Sequence, residues 1–215
     1  MSKTYFISDT HFSHFNILKY EPIRVLATAE YMANSGSGKS YDEAVEWIKE
    51  SLETNTNKEE VLYWHDEMLI SNWNSTVKDD DVVWFLGDFA FKDTKIAQTI
   101  GRRLKGHKRM IMGNHDREKP EFYYTCGFEF VSPYPIILKH FFTLSHAPMP
   151  WMHQYSSPYY YIFGHVHSVD VYQTTTANTT CACVERWQFK PITIPAFDEY
   201  TDEPDRNPAK ERRSE

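Results

Sequence analysis

At five points along this chain a short apolar run stops, and the turn that follows carries aspartate, asparagine or histidine. Tyr5-Phe6-Ile7 leads to Asp9-Thr10-His11, and Val82-Val83-Trp84-Phe85-Leu86 leads to Gly87-Asp88. Met110-Ile111-Met112 delivers Gly113-Asn114-His115-Asp116. Phe141 to Leu144 ends at Ser145-His146, and Tyr160 to Phe163 ends at Gly164-His165-Val166-His167. Aromatic and β-branched runs of this length favour strands. Open α/β sheets place ligands at the carboxyl ends of their strands, so the rhythm predicts an α/β fold with one site assembled from strand ends. Residues two apart on an extended segment point the same way, which would bring Asp9 and His11 to one ion. Carboxylate, amide oxygen and imidazole together suit manganese, iron or zinc and need no thiolate. An aspartate able to bridge two ions, with a spare histidine beside it, fits two-metal hydrolysis.

These blocks, in this order, resemble those of the calcineurin-like metallophosphoesterases: D-x-H, G-D, G-N-H-[DE], H and G-H-x-H. All are present between residues 9 and 167. The longer forms Asp9-Thr10-His11-Phe12-Ser13-His14 and Ser145-His146-Ala147-Pro148-Met149-Pro150 resemble a branch of small bacterial and phage members. The resemblance implies a two-layered β-sandwich flanked by helices. It implies two divalent ions, manganese foremost, with iron, zinc or nickel as alternatives. Asp9, His11, Asp88 and His167 would ligate one ion, and Asp88, Asn114, His146 and His165 the other. Asp88 would bridge, and a bridging water or hydroxide would attack phosphorus. His115 would act as general acid with Asp116 orienting its ring. His14 could line the cleft and touch substrate, but a histidine standing behind a ligand, or merely exposed, is the better reading. The substrate would be a phosphate ester, monoester or diester, with a nucleotide among the candidates.

A chain of 215 residues holds one domain with a sizeable core, expected over 1–200. At 41% hydrophobic and 16% aromatic residues it is a folded globule. A net charge of −7 and a pI near 5.8 disfavour broad nucleic-acid binding. No signal-peptide pattern and no apolar run of membrane-spanning length occur, and three cysteines do not make a disulfide framework, so a cytoplasmic protein is expected. Oligomeric state is left open.

Between the first two blocks, residues of about 26–78 read as a helical insertion. Leu26 to Ala33 is one helix, and Tyr41 to Leu52 a second with Val45, Ile48 and Leu52 on one face. Glu59 to Trp73 is a third, through Leu62, His65, Leu69 and Trp73. The insertion is expected beside the cleft, closing over substrate or simply adding stability. Within it, Ala33 to Ser40 imitates a phosphate-binding P-loop, but Ala33 replaces the first glycine and no strand precedes it, so a linker is the better reading. Asp79-Asp80-Asp81 lacks the further oxygen ligands of a calcium loop and is read as a turn. Thr94 to Leu104 predicts a helix with Ile96, Ile100 and Leu104 on one face and Gly106 past its end. The basic stretch from Arg102 to Arg109 suits a helix C-terminus remote from the ligands.

From Phe128 onward, short strands and Pro-containing turns suggest a second, more antiparallel half. Cys181-Ala182-Cys183 is expected to place one thiol inward and one outward, and Cys183 to Pro191 resembles the terminal strands of the branch named above. Residues 170 to 180 read as a loop or edge strand, and 201–215 as a disordered tail. His65, His107, His140 and His153 carry no motif context. Three rivals stand against this reading. A Ser/Thr protein phosphatase would carry G-D-x-x-D-R-G where this chain has Gly87-Asp88-Phe89-Ala90-Phe91-Lys92. A nuclease uses the same metals, but acidity and the lack of a basic accessory domain count against it. A non-catalytic scaffold would show eroded ligands, and none is eroded.

Overall fold

The computed structural model describes residues 2–91, 94–149, 159–169 and 175–200. The expected tail at 201–215, His153 and residues 170–174 of the expected loop lie outside them. Strands β1 (Thr4–Ile7), β2 (Val82–Phe85), β3 (His107–Ile111) and β4 (Phe128–Ser132) form a four-stranded parallel sheet in that order. A five-stranded sheet contains β5 (Ile136–Leu138), β6 (Phe142–Leu144), β7 (Tyr160–Phe163), β8 (Thr175–Thr176) and β9 (Thr179–Cys181), in the order β5-β6-β7-β9-β8. Its inner pairs β6–β7 and β7–β9 are parallel, and its edge pairs antiparallel. A parallel bridge between Ser8 and Cys183 ties the ends of β1 and β9 together. The ligand-bearing strands therefore share one direction, and their carboxyl ends open on one side. The chain is an α/β protein of two mostly parallel sheets with helices.

Strand alternation explains how the layers pack. Trp84 and Leu86 point with Phe6 and Ile111 into a cluster shared with Phe142, Leu144 and Ile162 of the second sheet. Val83 and Phe85 face the other way, joining Tyr5, Ile7 and Met110 against helical residues such as Leu69 and Trp73. A run apolar at every position is what burial on both faces demands. Phe142 is fully buried between the sheets; truncating it to alanine would cost about 3–5 kcal/mol.

A short helix, α1 (Ile17–Tyr20), precedes the insertion, whose helices are α2 (Ile23–Asn34), α3 (Tyr41–Thr54) and α4 (Lys58–Thr76). A capping box between Ser40 and Glu43 starts α3, and Asn55 ends it in the left-handed region. Val45, Ile48 and Leu52 are buried, as the spacing required, in a separate cluster with Val25, Ala29, Met32 and Val61. Residues 35–39 are the turn between α2 and α3, so the P-loop imitation is a linker.

Four expectations are corrected. In α5 (Thr94–Arg103) the buried face runs through Ala97, Ile100 and Leu104, while Ile96 is exposed. The helix lies so close to Cys126 that a side chain at Gly101 would collide with it, and only small residues fit there. β4 belongs to the parallel first sheet, because α6 (Pro120–Thr125) provides the crossover. Cys181 and Cys183 are both fully buried, with thiols 3.3 Å apart, because residues two apart share a face. Val184–Trp187 is a 3-10 turn rather than a strand. His107 to Arg109 begin β3, and Lys108 reaches back to the Leu104 carbonyl at the end of α5, so the basic stretch does cap that helix. Among the described residues no helix is long and apolar enough to cross a membrane.

Candidate metal centre

The loops at the strand ends are held in conformations that most residues avoid. Asp9, His11, Asp88, His165 and His167 all have positive φ, between 47° and 73°. Aspartate and histidine visit this region more readily than other non-glycine residues, yet five in one site represent strain of the kind found at functional centres. Asp9 and His11 thus converge through left-handed turns rather than along an extended segment. Gly87 (φ +94°) has a second constraint: a Cβ there would come within 2.6 Å of the Gly113 nitrogen and of His146 Nδ1. A side chain on Gly113 would strike the Asp88 carboxylate. The glycines let the second and third blocks touch.

Two groups of potential ligands result: Asp9, His11 and His167, and Asp88, His146 and His165. Within each group the ligand atoms lie within 4.8 Å of one another. In the first, Asp9 Oδ1 is 3.9 Å from His11 Nε2 and 3.6 Å from His167 Nε2. In the second, His146 Nε2 stands 3.4 Å from Asp88 Oδ2, 2.9 Å from Asn114 Oδ1 and 3.2 Å from His165 Nδ1. Asp88 Oδ2 also lies 3.5 Å from His11 Nε2, so one carboxylate oxygen faces both groups. Every sequence-predicted ligand is brought to this place.

The donor set fits divalent cations. Asp9 Oδ1 and His11 Nε2 are buried without a hydrogen-bond partner among the described residues. Leaving such atoms unmet costs about 1–3 kcal/mol each, and a cation between them would satisfy both. Burial, followed by Arg24, lowers the pKa of His11 well below its ordinary value, and burial followed by His146 lowers that of His165. Both rings are therefore neutral, with lone pairs to offer. His146 is pushed up to about 9: burial opposes its charge, but Asp88, Asp9 and the Leu86 carbonyl overcome it. A metal at this ring would displace a proton.

The ligands are oriented from behind. His146 Nδ1 donates to the Leu86 carbonyl at 2.8 Å, turning Nε2 toward Asp88. His167 Nδ1 pairs with Glu185 Oε1 at 2.9 Å, turning its Nε2 toward Asp9. Asp9 Oδ2 accepts from the His165 N–H at 2.8 Å and from the Cys183 thiol at 3.3 Å, leaving Oδ1 for the ion. Arg24 of α2 is fully buried; it ion-pairs with Glu185 and donates to the carbonyls of Asp9 (2.6 Å) and Thr10 (2.9 Å). His65 contacts Arg24 at 3.1 Å and Asp66 at 3.1 Å, and Asp66 accepts the Ser13 N–H. Glu185 is held down to about 2: burial would raise it, but Arg24 and His167 prevail. The sequence reading missed Arg24, His65, Asp66 and Glu185.

One assigned role changes. Asp116 was expected to orient His115, yet its oxygens accept the backbone N–H groups of Asp88 (2.7 Å), Phe89 (3.0 Å) and Gly113 (2.7 Å). It clamps the second block to the third, accepting three backbone N–H groups. His115 is held instead through its backbone N–H, 2.8 Å from Asp88 Oδ1, while its buried Nδ1 has no partner among the described residues. His14 is buried rather than exposed; its ring stacks on Phe91 at 3.9 Å, and its Nδ1 is 3.3 Å from His11 Nδ1. It supports a ligand from behind.

No protein-family model matches the chain. A stretch covering 57% of it is 32% identical to an uncharacterized protein of Methanocaldococcus jannaschii, over 51% of that protein. Shorter stretches are 41% and 42% identical to the gene 66 proteins of Mycobacterium phages D29 and L5, over 31% and 28% of their lengths. The chain thus spans about half or less of the curated relatives it matches. A protein of unknown function from Aquifex aeolicus has a crystal structure that superposes with a TM-score of 0.56 at 23% identity, over 93% of this chain and 99% of that one. What the chain shares with that protein is its fold.

Proposed function

We propose that this chain is a dinuclear-metal-dependent phosphoesterase of the calcineurin-like type, its two sheets being the sandwich of that superfamily. The observation that carries the reading is Asp88, whose Oδ2 stands 3.5 Å from His11 Nε2 and 3.4 Å from His146 Nε2 and so belongs to both ligand groups. Asp9, His11, Asp88 and His167 would hold one ion, and Asp88, Asn114, His146 and His165 the other, with manganese as the metal. Two such cations supply Lewis acidity toward phosphate oxygens and lower the pKa of water. His115 supplies the proton at the leaving oxygen: its backbone is fixed by Asp88 Oδ1, and its ring borders both His11, at 5.3 Å between centroids, and an open cavity. Arg24, Glu185 and Asp116 keep the ligand loops in their strained conformations.

The test is hydrolysis of bis-p-nitrophenyl phosphate and p-nitrophenyl phosphate by metal-stripped protein given manganese, nickel, zinc or magnesium, with metal content measured in parallel. Two ions per chain and activity restored with them are expected. Full activity at one ion or none would overturn the two-metal reading, and the preferred substrate would separate diester from monoester chemistry.

A further inference from the structure

Beside His115 lies a cavity of about 250 Å³ that the metal ligands do not enter. Its inner members, Ala97 and Tyr123, are buried, and half-buried Phe91 and Phe122 contribute aromatic surface. Thr94, Arg117 and Glu118 are exposed at its rim. The loops after β2 and β3 and the starts of α5 and α6 all contribute, so the cavity is built by the same elements that carry Asp88 and Asn114.

This lining selects among leaving groups. Arg117 only donates hydrogen bonds, an ionised Glu118 only accepts them, and Thr94 does both. The two charges cancel, so a second phosphate would gain little, since Glu118 would repel what Arg117 attracts. A bare sugar would leave the aromatic and alanine surface unused, and an acyl chain would leave the charged rim unused. A planar heterocycle with donors and acceptors on its edge uses both, its faces against rings and its edge at the rim. The volume lies just below the range of about 300–1,000 Å³ usual for ligand sites, room for one base and not for a run of nucleic acid.

We propose that this cavity holds the base of a nucleoside phosphate ester on its leaving-group side, with the ester oxygen at His115; the assignment rests on the phosphoesterase reading above. The first experiment is binding by the metal-free protein of uridine and adenosine against methyl riboside, followed by calorimetry or ligand-observed NMR. The nucleosides should bind and methyl riboside should not. Phe122→Ala should weaken nucleoside binding about tenfold, as expected for loss of one base–aromatic stack. Thr94→Trp, which fills the mouth, should abolish it, with circular dichroism checking the fold of both variants. The second experiment compares uridine and adenosine 5′-phosphates and their methyl diesters with the baseless riboside esters under manganese. The wild-type kcat/KM ratio should favour the base by about tenfold or more, and Phe122→Ala should bring it near one. No nucleoside binding, or binding unchanged in both variants, overturns the base pocket, while hydrolysis of baseless esters leaves the phosphoesterase reading standing. Nucleoside binding that follows the variants, with no ester hydrolysed by the metal-loaded protein, overturns that reading and the leaving-group assignment with it.

Discussion

The two ligand groups meet at Asp88 but are built from different materials. Around Asp9, His11 and His167 the support is ionic and buried: Arg24, Glu185 and His65 lie behind the ligands, and Asp9 and His11 are at most 2% exposed. Around Asp88, His146 and His165 the support is backbone: the Leu86 carbonyl holds His146, and Asp116 clamps the loop through N–H groups. Asn114 and His165 are exposed. The first group is fixed in advance by charges placed far apart in sequence, whereas the second is open to solvent and to whatever binds beside His115. One half is scaffolded and the other accessible.

The largest effect should come where the halves join. Asp88→Asn removes a charge facing both groups, so it should lower the metal content of both and bring activity near background. No other single ligand change should do this. Two retained ions with near-wild-type turnover in this variant would show that the groups are independent.

The buried ion pair offers the next largest. Arg24→Met leaves Glu185 charged inside the protein with only His167 beside it, which should cost up to about 3–5 kcal/mol. Denaturant unfolding of the metal-free protein measures this directly. Because the cost lies in the stranded charge, Arg24→Met combined with Glu185→Met should recover much of it. A double variant as unstable as the single would mean that Arg24 acts mainly through the Asp9 and Thr10 carbonyls.

This asymmetry of support decides what could be read from the sequence. Every candidate ligand was legible, because each sits in a block of two to four residues after an apolar run, where local chemistry and chain position agree. The scaffold was not. Arg24 and Glu185 are 161 residues apart, and each alone is a charge beside apolar residues, with nothing local to name its partner. His65 was visible only as a helical position. The insertion was recognised as helical, but not as the platform beneath the Asp9 loop. β4 was assigned to the wrong half because the six-residue α6 was overlooked. Pro120, at its first turn, was the available signal. On α5, residue size overrode hydrophobicity: Ala97 fits the close approach, and Ile96 faces out.

On the accessible side, His115→Ala should leave metal content and fold intact. A p-nitrophenolate leaves without a proton, so aryl esters should lose little. An alkoxide needs one, so alkyl esters should slow by about 10²–10⁴. Matched aryl and alkyl esters of one phosphate, with metal measured in each sample, give the comparison. Uniform loss across leaving groups, with metals retained, would make His115 a phosphate-positioning residue.

On metal affinity, Glu185→Gln should produce the smallest effect and the sharpest contrast between the halves, although it also costs stability by leaving the buried Arg24 without its carboxylate. Glu185 touches no candidate ion; it accepts from His167 Nδ1 and from Arg24. Glutamine keeps the shape and one acceptor oxygen but removes the charge that makes the His167 ring a better donor to a metal. Supports of this kind are worth about 10–100-fold in metal affinity. That loss should fall on the ion at Asp9, His11 and His167 alone, since among the described residues no hydrogen bond joins Glu185 to His146, whose Nδ1 partner is a backbone carbonyl. Competition with a graded chelator, counting ions released per chain, should show one site weakened and the other at its wild-type midpoint. If both midpoints move together, Asp88 couples the halves so tightly that their different supports have no separate thermodynamic meaning.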